Sequence, residues 1–340
     1  MGEPALRTRP TTPRLPGHRD RRTSVSRFAD RATRPARGPA DMLRWKLLRR
    51  GEHRRTDFAE LDRMLPGVRD GGAAALASGA PVACWIGHAT WAFRLGGQLV
   101  TTDPNWSRAI QGVAARLIPP GVALADLPAP DVVAVSHDHM DHMDFPTLRR
   151  LGPAPLYVVP LGNGARLRKL GHPRVVELAW WQRHRQGDLE ITLVPARHWS
   201  MRMPWTRNQT LWGGFVFRGP EGAVYHAGDT AWGDHFADIG RRLGPIDWAM
   251  LPIGAYAPRW FMEPQHIDPD EAGAAFQALA ARHLLAMHWG TFRLTDEASG
   301  EPPQRLRAWW QTQGLPDERL WILDAGEARP LLRVASSSIA

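Results

Sequence analysis

The chain has a single cysteine, scarcely any lysine and no long apolar run, and each shortage removes a class of protein. One thiol, Cys84, excludes an internal disulfide framework and a Cys-based zinc site. It is expected to pack as a small apolar residue on a strand that begins at Val82. No stretch of about 20 uninterrupted apolar residues occurs, so no apolar helix is expected to span a membrane, and no charged-then-apolar signal peptide opens the sequence. What is plentiful is core material: 340 residues, 43% of them apolar, can bury a large interior. These features together predict a cytoplasmic globular enzyme, with peripheral attachment to the inner face of the membrane as a further expectation.

The charge is unevenly spread. Residues 1 to 55 hold 16 of the 43 Lys and Arg but only 5 of the 34 Asp and Glu, an excess of +11. The remaining 27 basic and 29 acidic residues leave the body at −2. This Arg/Pro-rich leader is too polar to fold alone, so residues 1 to 55 are expected to be largely disordered, at least to about residue 40, ahead of one domain at 56 to 340. It would suit an anionic membrane or nucleic acid as a tether, at about 1 kcal/mol per basic side chain near an anionic bilayer. The plainer readings are a passive solvated tail, or a start codon placed too far upstream in a GC-rich gene. Residues 42 to 50 read as a short basic amphipathic turn that would lie on a bilayer. A slightly acidic body argues against nucleic acid as a partner.

The run Val135-Ser-His-Asp-His-Met-Asp-His-Met-Asp144 carries the chemistry. Residues 131 to 135 read as a short buried strand, whose end delivers His137, His139, Asp141 and His142 within six positions. Neighbours on a tight loop point different ways, so two metals side by side suit the four better than one. Three further ligand candidates stand at strand ends. His198 follows the alternating run at 189 to 194, Asp229 follows residues 223 to 225 with Gly228 to turn the backbone, and His288 ends the apolar run from Leu284. The expected division is His137, His139 and His198 on one metal and Asp141, His142 and His288 on the other, with Asp229 bridging. Nitrogen and oxygen donors of this kind suit two zinc ions, with manganese or iron as alternatives. Seven ligands over two metals would leave room for a bridging water ionised near neutral pH. Asp103 and Asp138 are the candidates for orienting the imidazoles, though either could equally cap a turn.

With this ligand order the chain resembles the metallo-β-lactamase fold hydrolases over roughly residues 80 to 325. The resemblance implies an α+β fold of four αββα layers with the dinuclear site at one edge of two packed sheets. The runs Trp85-Ile-Gly-His-Ala-Thr90, Pro252-Ile-Gly-Ala-Tyr256, Pro258-Arg-Trp-Phe-Met262, Gln265-His-Ile-Asp-Pro269 and Met287-His-Trp-Gly-Thr-Phe292 are similar to the N-acyl-phosphatidylethanolamine-hydrolysing phospholipase D branch. That likeness implies a phospholipid phosphodiesterase, with a sugar-phosphate lactonase or a nuclease-type phosphodiesterase as the alternative. It also implies Gln265 and His266 beside the substrate phosphate, so that the bridging Asp229 and His266 are the expected catalytic residues; Tyr256, Arg259 and Trp260 would contact the head group or simply pack as an aromatic cluster before a helix. A homodimer is compatible with the sequence. Trp180, Trp181, Trp199, Trp205, Trp212 and Trp232 fall near ligand positions, where rings would line an acyl groove or seat in a membrane interface, while several enter the core.

Local signals sketch the rest of the domain. Residues 82 to 86, 91 to 95 and 98 to 102 predict a three-strand meander turning at Gly96-Gly97. Strands are expected at 156 to 159, 174 to 178 and 320 to 323, and helices at 165 to 170, 235 to 243, 268 to 281 and 304 to 312, the third capped by Asp268 before Pro269.

Overall fold

The computed structural model describes residues 27 to 31, 37 to 48 and 57 to 332. Most of the basic leader, and with it the expected disorder, lies outside these residues, as do positions 49 and 50 of the expected amphipathic turn. Residues 39 to 48 of that region form a helix, α1 (Pro39–Leu48). Two short helices, α2 (Phe58–Arg63) and α3 (Gly72–Ala77), precede the first sheet.

The predicted meander is β1 (Val82–Gly87), β2 (Thr90–Leu95) and β3 (Gln98–Thr102), each antiparallel to the next. Its turn has Gly96 at φ 56° and Gly97 at φ 71°, a left-handed pair that a side chain at either position would strain. A small hairpin, β4 (Ala109–Ile110) with β5 (Ala114–Ala115), follows. The chain then alternates: β6 (Val132–Ala134), α4 (Phe145–Leu151), β7 (Leu156–Pro160), α5 (Gly164–Lys169) and β8 (Val175–Leu178). β6 adds in parallel to β3 after the β4–β5 hairpin, and β7 and β8 follow in parallel because the crossover helices α4 and α5 return the chain to the same sheet edge.

The second sheet starts with antiparallel β9 (Arg183–Gln186), β10 (Leu189–Val194), β11 (Gly214–Gly219) and β12 (Gly222–His226). After α6 (His235–Leu243) come β13 (Trp248–Pro252), α7 (Arg259–Met262), α8 (Pro269–Ala278), β14 (His283–Met287), α9 (Glu301–Thr312) and β15 (Leu320–Trp321), with the strands parallel. A last strand, β16 (Ala328–Pro330), returns to pair with β1 and close the first sheet. Among the described residues each sheet has seven strands, ordered β16-β1-β2-β3-β6-β7-β8 and β15-β14-β13-β12-β11-β10-β9.

The period-two alternation of the strands builds the layers. In β1, Ala83 and Trp85 face the second sheet, while Val82, Cys84 and Ile86 face outward toward Leu76 of α3. Val133, Tyr157 and Val159 likewise face out under Leu148 of α4 and Leu167 of α5. Phe93 and Phe217 meet between the sheets with ring centroids 5.2 Å apart, and truncating either to Ala would cost about 3–5 kcal/mol. On the far side α8 and α9 cover the second sheet through Phe276 and Trp310, 4.9 Å apart. The result is the expected αββα sandwich. Among the described residues no helix is long and apolar enough to cross a membrane.

Departures from the expected elements have local causes. Helix α9 starts three residues before 304, because Pro302 and Pro303 occupy its first turn, where no backbone N–H is needed. Helix α8 has the expected cap: Asp268 accepts from the Glu271 N–H while Glu271 reaches back to the Asp268 N–H. It stops at Ala278, three residues before the expected end. Strand β13 carries no period-two signal in the sequence, since a strand buried on both faces is a continuous apolar run without alternation.

Candidate metal centre

Every ligand candidate sits just beyond the C-terminal end of a strand, and the sandwich gathers these ends at one edge. His137 to His142 follow β6, His198 follows β10, Asp229 follows β12 and His288 follows β14. The backbone there is unusual. His88 (φ 54°), Asp103 (φ 39°) and His288 (φ 65°) all adopt the left-handed region without being glycine, and such residues concentrate where side chains must be aimed rather than merely packed. Gly228 (φ 61°) packs against Ser136, and an added Cβ would lie 2.7 Å from the Ser136 Cβ.

Two sets of donors converge, His137, His139, His198 and Asp229 in one and His88, Asp141, His142 and His288 in the other, each with its ligand atoms within 4.8 Å of one another. In the first, His137 Nε2 is 2.9 Å and His198 Nε2 3.2 Å from His139 Nδ1, and both Nε2 atoms lie 3.8 Å from Asp229 Oδ2. In the second, Asp141 Oδ2 is 2.9 Å from His88 Nε2, 3.3 Å from His142 Nε2 and 3.6 Å from His288 Nε2. Asp229 faces this set as well, with Oδ2 3.2 Å from His142 Nε2 and Oδ1 3.1 Å from His288 Nε2. A tetrahedral ion with bonds of about 2.1 Å separates its ligands by about 3.4 Å, so both sets have the spacing of ligands around a cation. His142 Nε2, His288 Nε2 and Asp229 Oδ1 are buried and make no hydrogen bond. The donors are all nitrogen and oxygen, which suits divalent zinc, iron or manganese. The residues therefore fit two metal ions, with Asp229 between them.

The electrostatics agree. Burial works against ionising Asp141 and Asp229, but His142 and the other imidazoles around them hold both carboxyls well below the usual range. Burial disfavours charge on His142 too, yet Asp229, Asp141 and Asp103 raise it well above an ordinary histidine. His288 is raised to about 9 against burial, chiefly by Asp229. Burial keeps His198 down at about 3 and His139 at about 4. The carboxylates thus draw positive charge onto two imidazoles, a role that divalent cations would take over.

Second contacts aim the rings. Asp103 Oδ2 takes the His142 Nδ1 hydrogen bond at 2.8 Å, and the Ser136 N–H and hydroxyl both donate to Asp103 at 2.7 Å. His198 Nδ1 bonds the Gln265 carbonyl at 3.0 Å, turning Nε2 toward the cluster. Asp138, the other sequence candidate, points elsewhere and pairs with Arg166 at 2.7 Å. His88 is the residue that sequence reasoning missed as a site residue. It stands in the Trp85-Ile-Gly-His-Ala-Thr90 run, directly after a buried strand, much as the other ligand candidates do.

The cluster opens into a cavity of about 480 Å³, with Gln265 and His266 in its wall. The His266 ring lies 5.2 Å from His198 and 5.8 Å from His288, and its Nδ1 is unpartnered. Burial depresses its pKa to about 3, so the ring is neutral. Gln265 Oε1 accepts from Trp199 Nε1 at 2.7 Å. Tyr256, Arg259 and Trp260 are not part of the cavity wall. The Tyr256 hydroxyl donates to Glu301 at 2.9 Å, and Arg259 serves Glu271 and the His266 carbonyl. The Trp260 ring lies under the Arg44 guanidinium, 5.0 Å away. Of the six tryptophans singled out, Trp199 lines the cavity, Trp212 is buried with Nε1 on the Ala196 carbonyl, and Trp205 is exposed.

Residues 99 to 289 match the model of the beta-lactamase superfamily domain. A protein of Mycobacterium tuberculosis is 40% identical over 279 residues, covering 78% of this chain and 72% of its own. The N-acyl-phosphatidylethanolamine-hydrolyzing phospholipase D 1 of Caenorhabditis elegans is 36% identical over 264 residues, 72% of this chain and 74% of that one. Among solved structures, a metallo hydrolase of Ignicoccus hospitalis superposes with a TM-score of 0.58 at 22% identity, over 74% of this chain and 97% of its own, a likeness of fold. Sequence, sheet order and the paired His/Asp sets agree: the chain belongs to the metallo-β-lactamase superfamily and is a metal-dependent hydrolase.

Proposed function

We propose that the protein is a dinuclear zinc phosphodiesterase of phospholipase D type that hydrolyses N-acylated or ordinary glycerophospholipids. The observation that carries this reading is the position of Asp229 between the two donor sets, in one of them and 3.1–3.2 Å from His288 and His142 of the other, at the base of a cavity also walled by Trp199, Phe261 and Met262. Polar chemistry at the floor and apolar side chains above it match a substrate with a charged diester and greasy chains. The nematode relative, named for such an activity, supports the same substrate class.

Two divalent ions held by these sets would supply Lewis acidity and a water ionised near neutral pH. The chain's own residues do the rest. Asp229 ties the two sets together at a fixed separation. Asp103 fixes the tautomer and tilt of His142 through Nδ1, leaving Nε2 for the site. His266, neutral through burial, offers a ring N–H to a phosphate oxygen or the leaving alkoxide without adding a positive charge to a site that would already hold two cations. Helix α1 exposes Leu43 and Leu47 beside Arg44, a composition suited to peripheral contact with a bilayer that supplies the lipid.

The test is product identification. Metal-loaded protein should convert N-acyl-phosphatidylethanolamine or phosphatidylethanolamine to phosphatidic acid and the free head group, read by mass. Turnover of a sugar-phosphate lactone without phospholipid cleavage would move the assignment to a lactonase. Cleavage confined to bis-p-nitrophenyl phosphate and oligonucleotides would move it to a nuclease-type enzyme.

A further inference from the structure

Helix α1 precedes the matched superfamily domain by about fifty residues of chain, yet its side chains reach the cavity of the metal centre. Met42 and Trp45 form part of the same wall as Phe261, Met262 and Leu294. The helix is fastened there at several points. The Trp45 ring stacks on Phe261 with centroids 4.9 Å apart, and its Nε1 donates to Asp296 Oδ2 at 2.5 Å. Arg44 lies over the Trp260 ring and Arg37 donates to the Trp260 carbonyl at 2.6 Å. Trp260 and Phe261 belong to α7, which leads into Gln265 and His266. These contacts lock α1 against the segment that carries the polar groups of the wall.

We propose that α1 is the chain-length selector of the active site, with Met42 and Trp45 as specificity-determining residues that receive an unbranched apolar chain of the substrate while its scissile group sits on the ligand sets. The occupant is defined by where the cavity leads. Its floor is His139, Asp141, His198, Asp229 and His288, so an apolar chain against α1 belongs to a molecule whose polar end reaches those donors. Met42 is 40% exposed and unbranched, able to follow chains of different shape. The stacked Trp45 supplies a rigid face. Each methylene such a wall removes from water contributes about fourfold in affinity, so three or four covered methylenes separate long-chain from short-chain ligands by about 10²-fold.

This inference deepens the phospholipase reading, and its test is a binding measurement that does not depend on turnover. Calorimetric titration of the zinc-loaded full chain compares octylphosphonate with ethylphosphonate. Wild-type protein should bind the octyl compound at least about 30-fold more tightly. Met42→Ser and Trp45→Ala should bring that ratio below about threefold while leaving the ethylphosphonate affinity and the metal content within twofold. Leu47→Ser, on the exposed side of the helix at 72% exposure, should keep the wild-type ratio. Should Trp45→Ala fail to fold, Met42→Ser decides alone, because its side chain is partly in solvent. Equal affinities for the two phosphonates in wild type, or an undiminished ratio in the variants, overturns the proposal. So does a parallel loss of ethylphosphonate affinity, which would make α1 a structural support of the metal sets. Absence of phospholipid turnover beside an intact chain-length ratio would sink the phospholipase assignment and leave the selector standing.

Discussion

Asp103 holds His142: the carboxylate accepts the ring's Nδ1 hydrogen bond at 2.8 Å, with both side chains fully buried. Asp103 is itself pinned by Ser136, the residue before His137, so the metal loop and its orienting carboxylate form one unit. Asp103→Asn would keep the shape but weaken the charge that makes His142 a strong donor. Removing such a partner typically costs 10–100-fold in metal affinity. Competition with a chromogenic chelator should show one of the two metals weakened by that factor and the other nearly unchanged.

The wild-type protein should carry close to two metals per chain by elemental analysis, given two donor sets that meet at Asp229. Asp229→Asn removes the charge both sets share and should lower activity by several orders of magnitude together with metal content. His266→Ala should retain both metals and lose about 10²-fold in kcat, the scale of a positioning or proton-transfer group. Loss of metal in the His266 variant would put that ring in the coordination shell.

His235 gives a pH signature away from the ligand sets. Burial, with Arg197 nearby, lowers its pKa to about 3, against about 6.5 in an unfolded chain. The unfolded state therefore binds a proton that the folded state refuses. The stabilising contribution is complete above pH 6.5 and is lost as pH falls from there toward 3, at about 1.4 kcal/mol per pH unit. Urea unfolding at pH 7, 6 and 5 should show the wild type losing stability more steeply than His235→Asn by about one proton. Parallel curves would contradict the assignment.

Cys84 should be chemically silent in the native protein. Burial, and then Glu327, push its thiol up to about 12, so the thiolate fraction at pH 8 is about 10⁻⁴. Ellman's reagent should find no reactive thiol until denaturant is added, and then one per chain. Rapid native labelling would mean that α3 opens from β1.

The leader can be tested without disturbing α1. Residues 1 to 36 carry 9 basic and 3 acidic side chains. If they tether the protein to anionic bilayers, their deletion should reduce sedimentation with phosphatidylserine liposomes and flatten its salt dependence, because exposed charges are screened beyond about 10 Å at 0.1 M salt. Hydrolysis of a short soluble diester should be unaffected. Equal sedimentation of both forms would leave Leu43 and Leu47 of α1 as the membrane contact.

The candidate ligand set and much of the sandwich are legible in local sequence. Ligands clustered within six positions after a buried strand can be read locally, as can the Gly96-Gly97 hairpin and the Asp268 cap, because each depends on residues a few positions apart. Tertiary structure decided which side chains share a site. His88 and Asp141 are 53 positions apart and meet at 2.9 Å. Asp103 rather than Asp138 orients a candidate ligand, His142, because β3 and β6 are neighbours in the sheet while Arg166 of α5 claims Asp138. Tyr256, Arg259 and Trp260 have a distinctive pattern, but the groups that satisfy them come from α8, α9 and α1. Trp45 reaches Asp296 across 251 positions. Periodicity and spacing report which face of an element is apolar and which residues can ligate. They carry no information on what the fold brings against that face, and that decides which of the available donors and rings line the cavity.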